Sequence, residues 1–377
     1  MQRIYLDYNA STPVAPEVVA AMQPFLAEHF GNPSSLHWAG APAKVALEKA
    51  RAQAALLLGC ASDEIIFTSG GTEASNAAIK GVWFAKNIVG GRIVTTAVEH
   101  PATLKPCEFL KKLGADLVVL PVDGTGRVDP DAVRKALTPK TVLVSVMHAQ
   151  NEVGTLQPIA QIGRLCREKQ ILFHTDAAQS VGKLPTLVDE LNVDLLTVAG
   201  HKLCAPKGVG LLYVRKGVTL EPFVHGAGHE SGRRAGTENV LLNVGLGEAC
   251  ELAGSFLALP ASTAGSCGYI QNLRDRLWQG LHEKLGARVR LHGHPELRLP
   301  NTLNVGFVNQ SGAAVLAAWP GVAASTGSAC HAGRVTLSAV LQAMNVPPES
   351  GMGAIRFSLG RWTTQADIDA VVALAGT

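Results

Sequence analysis

The chain has 377 residues, more than one hydrophobic core ordinarily fills, so a large domain with a smaller companion is expected. Lys and Arg number 33 against 30 Asp and Glu, and the longest basic cluster is Lys111-Lys112, which excludes the footprint of a nucleic-acid-binding protein. No basic segment leading into an apolar core opens the sequence, and no run reaches the roughly 18 uninterrupted apolar residues of a membrane span, so a cytoplasmic protein without a membrane partner is expected.

From about residue 60, short β-branched runs alternate with amphipathic stretches. Glu64–Phe67, Arg92–Thr95, Asp116–Leu120, Thr141–Met147, Ile171–Thr175 and Asp194–Val198 are strand-like, with helix-like segments such as 129–137 and 158–169 between them. This alternation predicts an α/β domain on a mainly parallel sheet. Gly208–Val214 follows Lys202 too closely for a helical crossover, so it is expected as an antiparallel strand of that sheet. After about residue 255 come a loop at Ala261–Gly268, a helix at 268–285, and strands near 287–292 and 301–308. A helix at 334–345, a strand at 354–359 and a closing helix from about 364 complete a smaller α+β domain.

Several motifs punctuate this order. Thr68-Ser69-Gly70-Gly71-Thr72-Glu73 runs from a strand end through two glycines into a helix, whose free N–H groups and dipole suit an anion, or else the glycines serve loop geometry alone. No Gly-Lys-Ser/Thr follows, so this is not a P-loop. His100 follows a strand and could stack on a planar cofactor or merely cap a loop. Asp176 ends the run Phe173-His174-Thr175-Asp176, where α/β sheets place ligands; it could sit beside a pyridinium nitrogen or cap a helix. Lys202, in Gly200-His201-Lys202, stands 26 residues later at another strand end, where desolvation would make its amine nucleophilic.

Seven cysteines (Cys60, Cys107, Cys166, Cys204, Cys250, Cys267 and Cys330) occur singly, without a C-x-x-C pair, which fits a reduced compartment and suggests no metal site. Most read as buried thiols, but Cys330 lies in a small-residue segment, 323–333, expected to be a mobile loop that could swing its thiol into a cleft beside His331 or Arg334. Arg356, flanked by Ile355 and Phe357 in a strand, needs an anion, either a substrate carboxylate or an internal acid.

Together these segments closely resemble the cysteine desulfurases, pyridoxal-phosphate (PLP) enzymes of fold type I within the class V aminotransferase group. The resemblance is nearly full length. It includes Tyr5-Leu6-Asp7-Tyr8-Asn9-Ala10-Ser11-Thr12-Pro13, Gly31-Asn32-Pro33, Asn151-Glu152-Val153-Gly154, Arg234-Ala235-Gly236-Thr237 and Gly327-Ser328-Ala329-Cys330. It implies an aspartate-aminotransferase-like large domain, residues 13–255, with a seven-stranded type of sheet. A small domain of residues 1–12 plus 256–377 would carry the catalytic-cysteine loop.

By the same resemblance Lys202 is the Schiff-base lysine, Asp176 contacts the pyridine nitrogen, and His100 stacks on the ring. Gln179 and Asn151 contact the ring hydroxyl. Gly71, Thr72 and His201 hold the phosphate, with Thr237 reaching across from the second subunit of a homodimer. Arg356, Asn32 and Asn151 bind the substrate carboxylate. The implied reaction turns L-cysteine into L-alanine, with Lys202 as base at Cα and Cys330 taking the sulfur as a persulfide for an acceptor protein such as an iron-sulfur scaffold.

Three departures stand out. Ala199 replaces a Ser that many relatives use on the phosphate, and the stretch after the cysteine, His331 to Leu337, is not Ser-rich. The chain runs to Thr377 without the C-terminal extension by which housekeeping members dock the scaffold, so the acceptor stays open. A selenocysteine lyase shares nearly all the motifs, and a catalytically silent sulfur carrier would keep the fold; both stand as alternatives.

Overall fold

The computed structural model describes residues 3–331 and 334–376, with backbone alone for 328–331, 334 and 335. A two-residue strand, β1 (Ile4–Tyr5), opens the chain. Then β2 (Ile65–Thr68), β3 (Arg92–Thr96), β4 (Asp116–Leu120), β5 (Thr141–Ser145), β6 (Leu172–Asp176), β7 (Leu195–Ala199) and β8 (Gly210–Val214) form one seven-stranded sheet in the order β2-β8-β7-β6-β5-β3-β4. Only β8 runs against its neighbours, pairing antiparallel with both β2 and β7. β2, β5, β7 and β8 are buried along their whole length, which is why they read as continuous apolar runs without alternation. The architecture is the α/β, fold-type-I arrangement expected.

Local chemistry sets the helices between the strands. His100 and Asp129 cap the helices Pro101–Lys112 and Pro130–Ala136, each of which places a proline at its first turn, where no N–H is needed. The helix Ile159–Glu168 buries Ile159, Ile162, Leu165 and Cys166, the spacing of a single face. Helix Val240–Ala258 is long and apolar enough, by length and composition, to cross a membrane. Glu248 and Glu251 interrupt it, and it buries Leu246, Ala249, Cys250 and Ala253 in the main core beside the helix Gly40–Leu58.

The C-terminal part folds around β9 (Val289–His292), β10 (Thr302–Phe307), β11 (Val322–Ala323), β12 (Ser325–Thr326), β13 (Ser328–His331), β14 (Arg334–Leu337) and β15 (Ala354–Ser358). Its antiparallel sheet has the order β12-β15-β10-β9, and β1 joins β11 in parallel, tying the N-terminus to this part. Trp319 lies between Phe307 and Phe357 in a separate core. The closing helix Gln365–Leu374 starts at a capping box between Thr364 and Asp367.

Two expectations need correction here. The segment around Cys330 is a hairpin, not an irregular loop: Cys330 faces Val335 and Ala329 faces Thr336 across β13 and β14. The helix expected at 334–345 shrinks to Ala339–Ala343, because β-branched Val335 and Thr336 pair in the hairpin and Ser338 caps the helix on Leu341 N.

Candidate active site

The parallel strands bring their carboxyl ends to one edge of the sheet, and the groups that follow them line a cleft of about 1050 Å³. Nine residues singled out from the sequence meet there: Gly71 and Thr72 after β2, His100 after β3, Asn151 after β5, Asp176 and Gln179 after β6, His201 and Lys202 after β7, and Arg356 on β15.

Asp176 is the last residue of β6 and is 7% exposed. One carboxylate oxygen accepts from Ala178 N at 2.9 Å, which closes a turn and caps no helix, and the side chain also faces the cleft. Burial pushes its carboxyl above the ordinary range, opposed by the Ala178 N–H and by His100 and Lys202.

The turn Gly200–Lys202 swings Lys202 in from β7, and its Nζ donates to the carbonyls of Asn9 and, at 2.8 Å, Ala10. Burial, followed by the Arg356 charge, lowers the amine from 10.5 to about 8, with Asp7 and Asp176 opposing. At that value roughly one amine in ten is neutral and nucleophilic at pH 7. His100 Nδ1 accepts from Ala102 N at 3.1 Å, which places the proton of the neutral ring on Nε2. Burial lowers its pKa, with Asp176 raising it and Lys202 lowering it further.

Gly70, at φ +148°, turns the chain into the helix Gly71–Lys86 without a side-chain cap, leaving the first N–H groups directed at the cleft. Gly210 makes this approach possible, since a Cβ there would lie 2.8 Å from Gly70 Cα and 2.6 Å from Val198 O. The Ala199 methyl stands 3.1 Å from where a Cβ on Gly71 would be, so the floor of the anion site carries no hydroxyl. His201 lies 3.5 Å from Ser11 Oγ, and burial with the neighbouring Lys202 pushes it down to about 4.

Arg356 has the internal acid of its two alternatives, Asp7, and also faces the cleft. Its Nη2 pairs with Asp7 Oδ1 at 2.7 Å and Ser325 Oγ at 3.0 Å, and Nη1 donates to Asn151 O at 3.0 Å. Nε is buried without a partner, on a side chain that still lines the cleft.

Residues 4–371 match the aminotransferase class-V family. A cysteine desulfurase IscS of Dictyoglomus turgidum is 48% identical over 98% of this chain and 92% of its own length, and one of Methanosarcina thermophila is 47% identical over 98% and 90%. Among solved structures, a NifS-like protein superposes with a TM-score of 0.90 at 37% identity, covering 99% of this chain and 98% of that one. The protein SspA in complex with cysteine gives 0.82 at 36%, covering 96% and 100%. The chain belongs to the cysteine desulfurases, within the class-V aminotransferase family.

Cysteine desulfurases are PLP enzymes, and this cleft fits the cofactor. It offers an amine of lowered pKa for the aldehyde, a buried carboxylate for the ring nitrogen and an uncapped helix N-terminus for the phosphate. Among the described residues Asp176 forms no ion pair with Lys or Arg, so a pyridinium would complete it.

Two expected residues do not line this cleft in their own chain. Asn32 is exposed, and its Oδ1 is turned back to accept from Ser34 N at 2.9 Å, closing a turn in place of reaching a substrate. Thr237 is exposed on the segment after the buried Arg51–Glu230 pair. The Cys330 side chain lies outside the described residues.

Groups that the sequence reading passed over line the desulfurase cleft or brace its residues. Asn9 is 1% exposed and is a junction: its carbonyl accepts from Lys202 and from Gln179 Nε2 at 3.0 Å, while its side chain bonds Thr302 Oγ1 at 2.8 Å and Asn301 at 3.0 Å. Asp7, the partner of Arg356, is its near neighbour. Both stand in the Tyr5–Pro13 motif, which carried the resemblance without a role assigned to either. Lys183, four residues beyond Gln179 in the turns after β6 and bonded to it, is the third.

Proposed function

We propose that this desulfurase works as a homodimer in the cytoplasm, moving sulfur from L-cysteine onto Cys330 and then to an acceptor protein, with iron-sulfur cluster assembly the first destination to test. The observation that carries the residue roles is the meeting of a depressed-pKa lysine, a shielded carboxylate and a cleft-facing arginine in one cavity.

Bound in that cleft, PLP supplies the sink for the electron pair released at the substrate Cα. Asp176 keeps the ring nitrogen protonated. Gly71, Thr72 and His201 hold the phosphate together with the partner's Thr237, while His100 lies against the ring and Asn151 and Gln179 meet its hydroxyl. Arg356 grips the substrate carboxylate with its guanidinium, which Asp7 holds in place. Lys202 takes the Cα proton. The Cys330 thiolate attacks the substrate Sγ; the Cβ–S bond breaks, its electron pair stays on Cβ and takes up a proton, Lys202 returns a proton to Cα, and L-alanine leaves. Cys330 then holds a persulfide. Relatives that match over nearly the whole chain are named cysteine desulfurases, which disfavours the selenocysteine lyase and the silent carrier.

Support for the dimer comes from an apolar surface near the N-terminus: Leu36 is 99% and Trp38 82% exposed, and Trp38 and Val45 share a groove with Phe25 and His29. Sedimentation of the purified protein is expected to give a dimer, and Trp38→Glu to shift it towards monomer with loss of bound PLP as the partner's Thr237 departs. A monomeric parent protein that retains PLP would remove this part of the reading.

The chemistry is tested by the visible spectrum before and after L-cysteine, with alanine and sulfide assayed alongside. The cofactor band is expected to change on addition and alanine to accumulate. Cys330→Ala should keep the band and form no alanine. A protein that PLP cannot reconstitute, or undiminished alanine from Cys330→Ala, would overturn the assignment.

A further inference from the structure

Lys183 lines a neighbouring pocket, touches two residues of the cleft, Gln179 and Asn9, and is unused by the chemistry above. Its Nζ lies 3.0 Å from Gln179 Oε1 and 3.5 Å from Asn9 Oδ1, and no carboxylate forms an ion pair with it among the described residues. The groups that face it are two cations, Lys202 and Arg356, and two thiols, Cys204 and Cys267. A lysine in such surroundings is electrostatically unfavourable, since burial and the Lys202 charge lower its pKa to about 7. Its position is explained by what it donates to.

The primary amide of Gln179 has two ends that differ in chemistry but hardly in shape, so its neighbours decide which end faces where. Lys183 offers N–H groups whether charged or neutral, and therefore draws Oε1. The Asn9 carbonyl only accepts, and it takes one Nε2 hydrogen at 3.0 Å. The same carbonyl accepts from Lys202. With Oε1 held on Lys183 and one hydrogen on Asn9, the group left for the cleft is the second Nε2–H.

We infer that Lys183 is a positioning residue that fixes the sense of the Gln179 amide, so that Gln179 turns an N–H donor and not its carbonyl towards the oxygen of the cofactor ring. The inference rests on the proposed PLP site and names what orients one of its contacts. A donor on that oxygen favours its anionic form and lowers the proton affinity of the bound chromophore; a carbonyl in its place raises it. Without Lys183 nothing described holds Oε1, and the Asn9 carbonyl alone opposes inversion of the amide.

The test is a pH titration of the visible band of PLP-loaded protein. Lys183→Met is expected to raise the midpoint by about one pH unit, tenfold in proton affinity. Lys183→Arg, which restores a donor, should return it towards the parent value. In a Gln179→Leu background, Lys183→Met should shift the midpoint no further. If Lys183→Met is too unstable to purify, Lys183→Leu carries the same expectation. An unchanged midpoint in either apolar variant overturns the inference. So does a shift of undiminished size in the Gln179→Leu background, which would mark a through-space charge effect. A parent protein that takes up no PLP would instead sink the cofactor site itself, so the two failures are distinguishable.

Discussion

Lys202→Met is expected to reduce alanine formation from L-cysteine by about a thousandfold or more, because one side chain both carries the cofactor and moves the Cα proton. Methionine keeps the apolar stem and removes the amine. A second readout separates this loss from a folding defect. In the cofactor-free protein the Lys202 amine falls from 10.5 to about 8, so the folded state binds this proton less tightly than the unfolded chain. The burial of the charge therefore opposes folding fully below pH 8, and this opposition fades as pH rises from 8 to 10.5. The cofactor-free Lys202→Met protein should accordingly melt at or above the parent temperature at pH 7, with the difference shrinking towards pH 10.5. Turnover within tenfold of the parent, measured as alanine, would remove Lys202 from its role.

How much of this was legible in the sequence depended on the range of the interaction. β2, β5 and β7 declared themselves as continuous β-branched runs because both faces of each are covered, and β8 because only a short turn separates it from Lys202. Asp176 and Lys202 could be placed at strand ends, since parallel strands deliver their carboxyl ends to a common edge. The hairpin around Cys330 was not legible. Small residues at 323–329 mimic a loop, and the pairing of Ala329 and Cys330 comes from Thr336 and Val335 on the next strand. Asn9 and Lys183 were missed for a related reason. Asn9 acts through residues far off in the chain, Lys202, Thr302 and Asn301, and Lys183 through a neighbour, Gln179, whose amide is itself set by Asn9. A single polar residue in a motif carries no sign of such partners. Asn32 shows the converse: the motif Gly31-Asn32-Pro33 suggested a binding role, while the local Asx turn onto Ser34 takes up the side chain within its own chain.

Asp176→Asn is the other substitution with a large expected effect, and it separates electrostatics from shape. Asparagine is nearly isosteric, and its Oδ1 can still accept from Ala178 N, so the end of β6 and the turn after it should persist. The negative charge beside the ring nitrogen is lost, and with it the preference for a protonated ring that makes the sink effective. Turnover should fall by roughly 10²- to 10⁴-fold, while the amount of bound PLP changes far less. Stability should move in the opposite direction. Burial raises the Asp176 carboxyl in the folded cofactor-free protein above its unfolded value, so folding is opposed increasingly as pH rises from the unfolded value and fully above the folded one. The neutral amide escapes this opposition, and the cofactor-free Asp176→Asn protein should melt no lower than the parent at pH 7. A variant that loses activity and also melts well below the parent would mean that Asp176 serves the fold; one that keeps parent turnover would mean that the ring nitrogen is managed by another group. Loss of turnover with undiminished stability is the outcome expected of a carboxylate kept buried, against its own solvation, for the cofactor it completes.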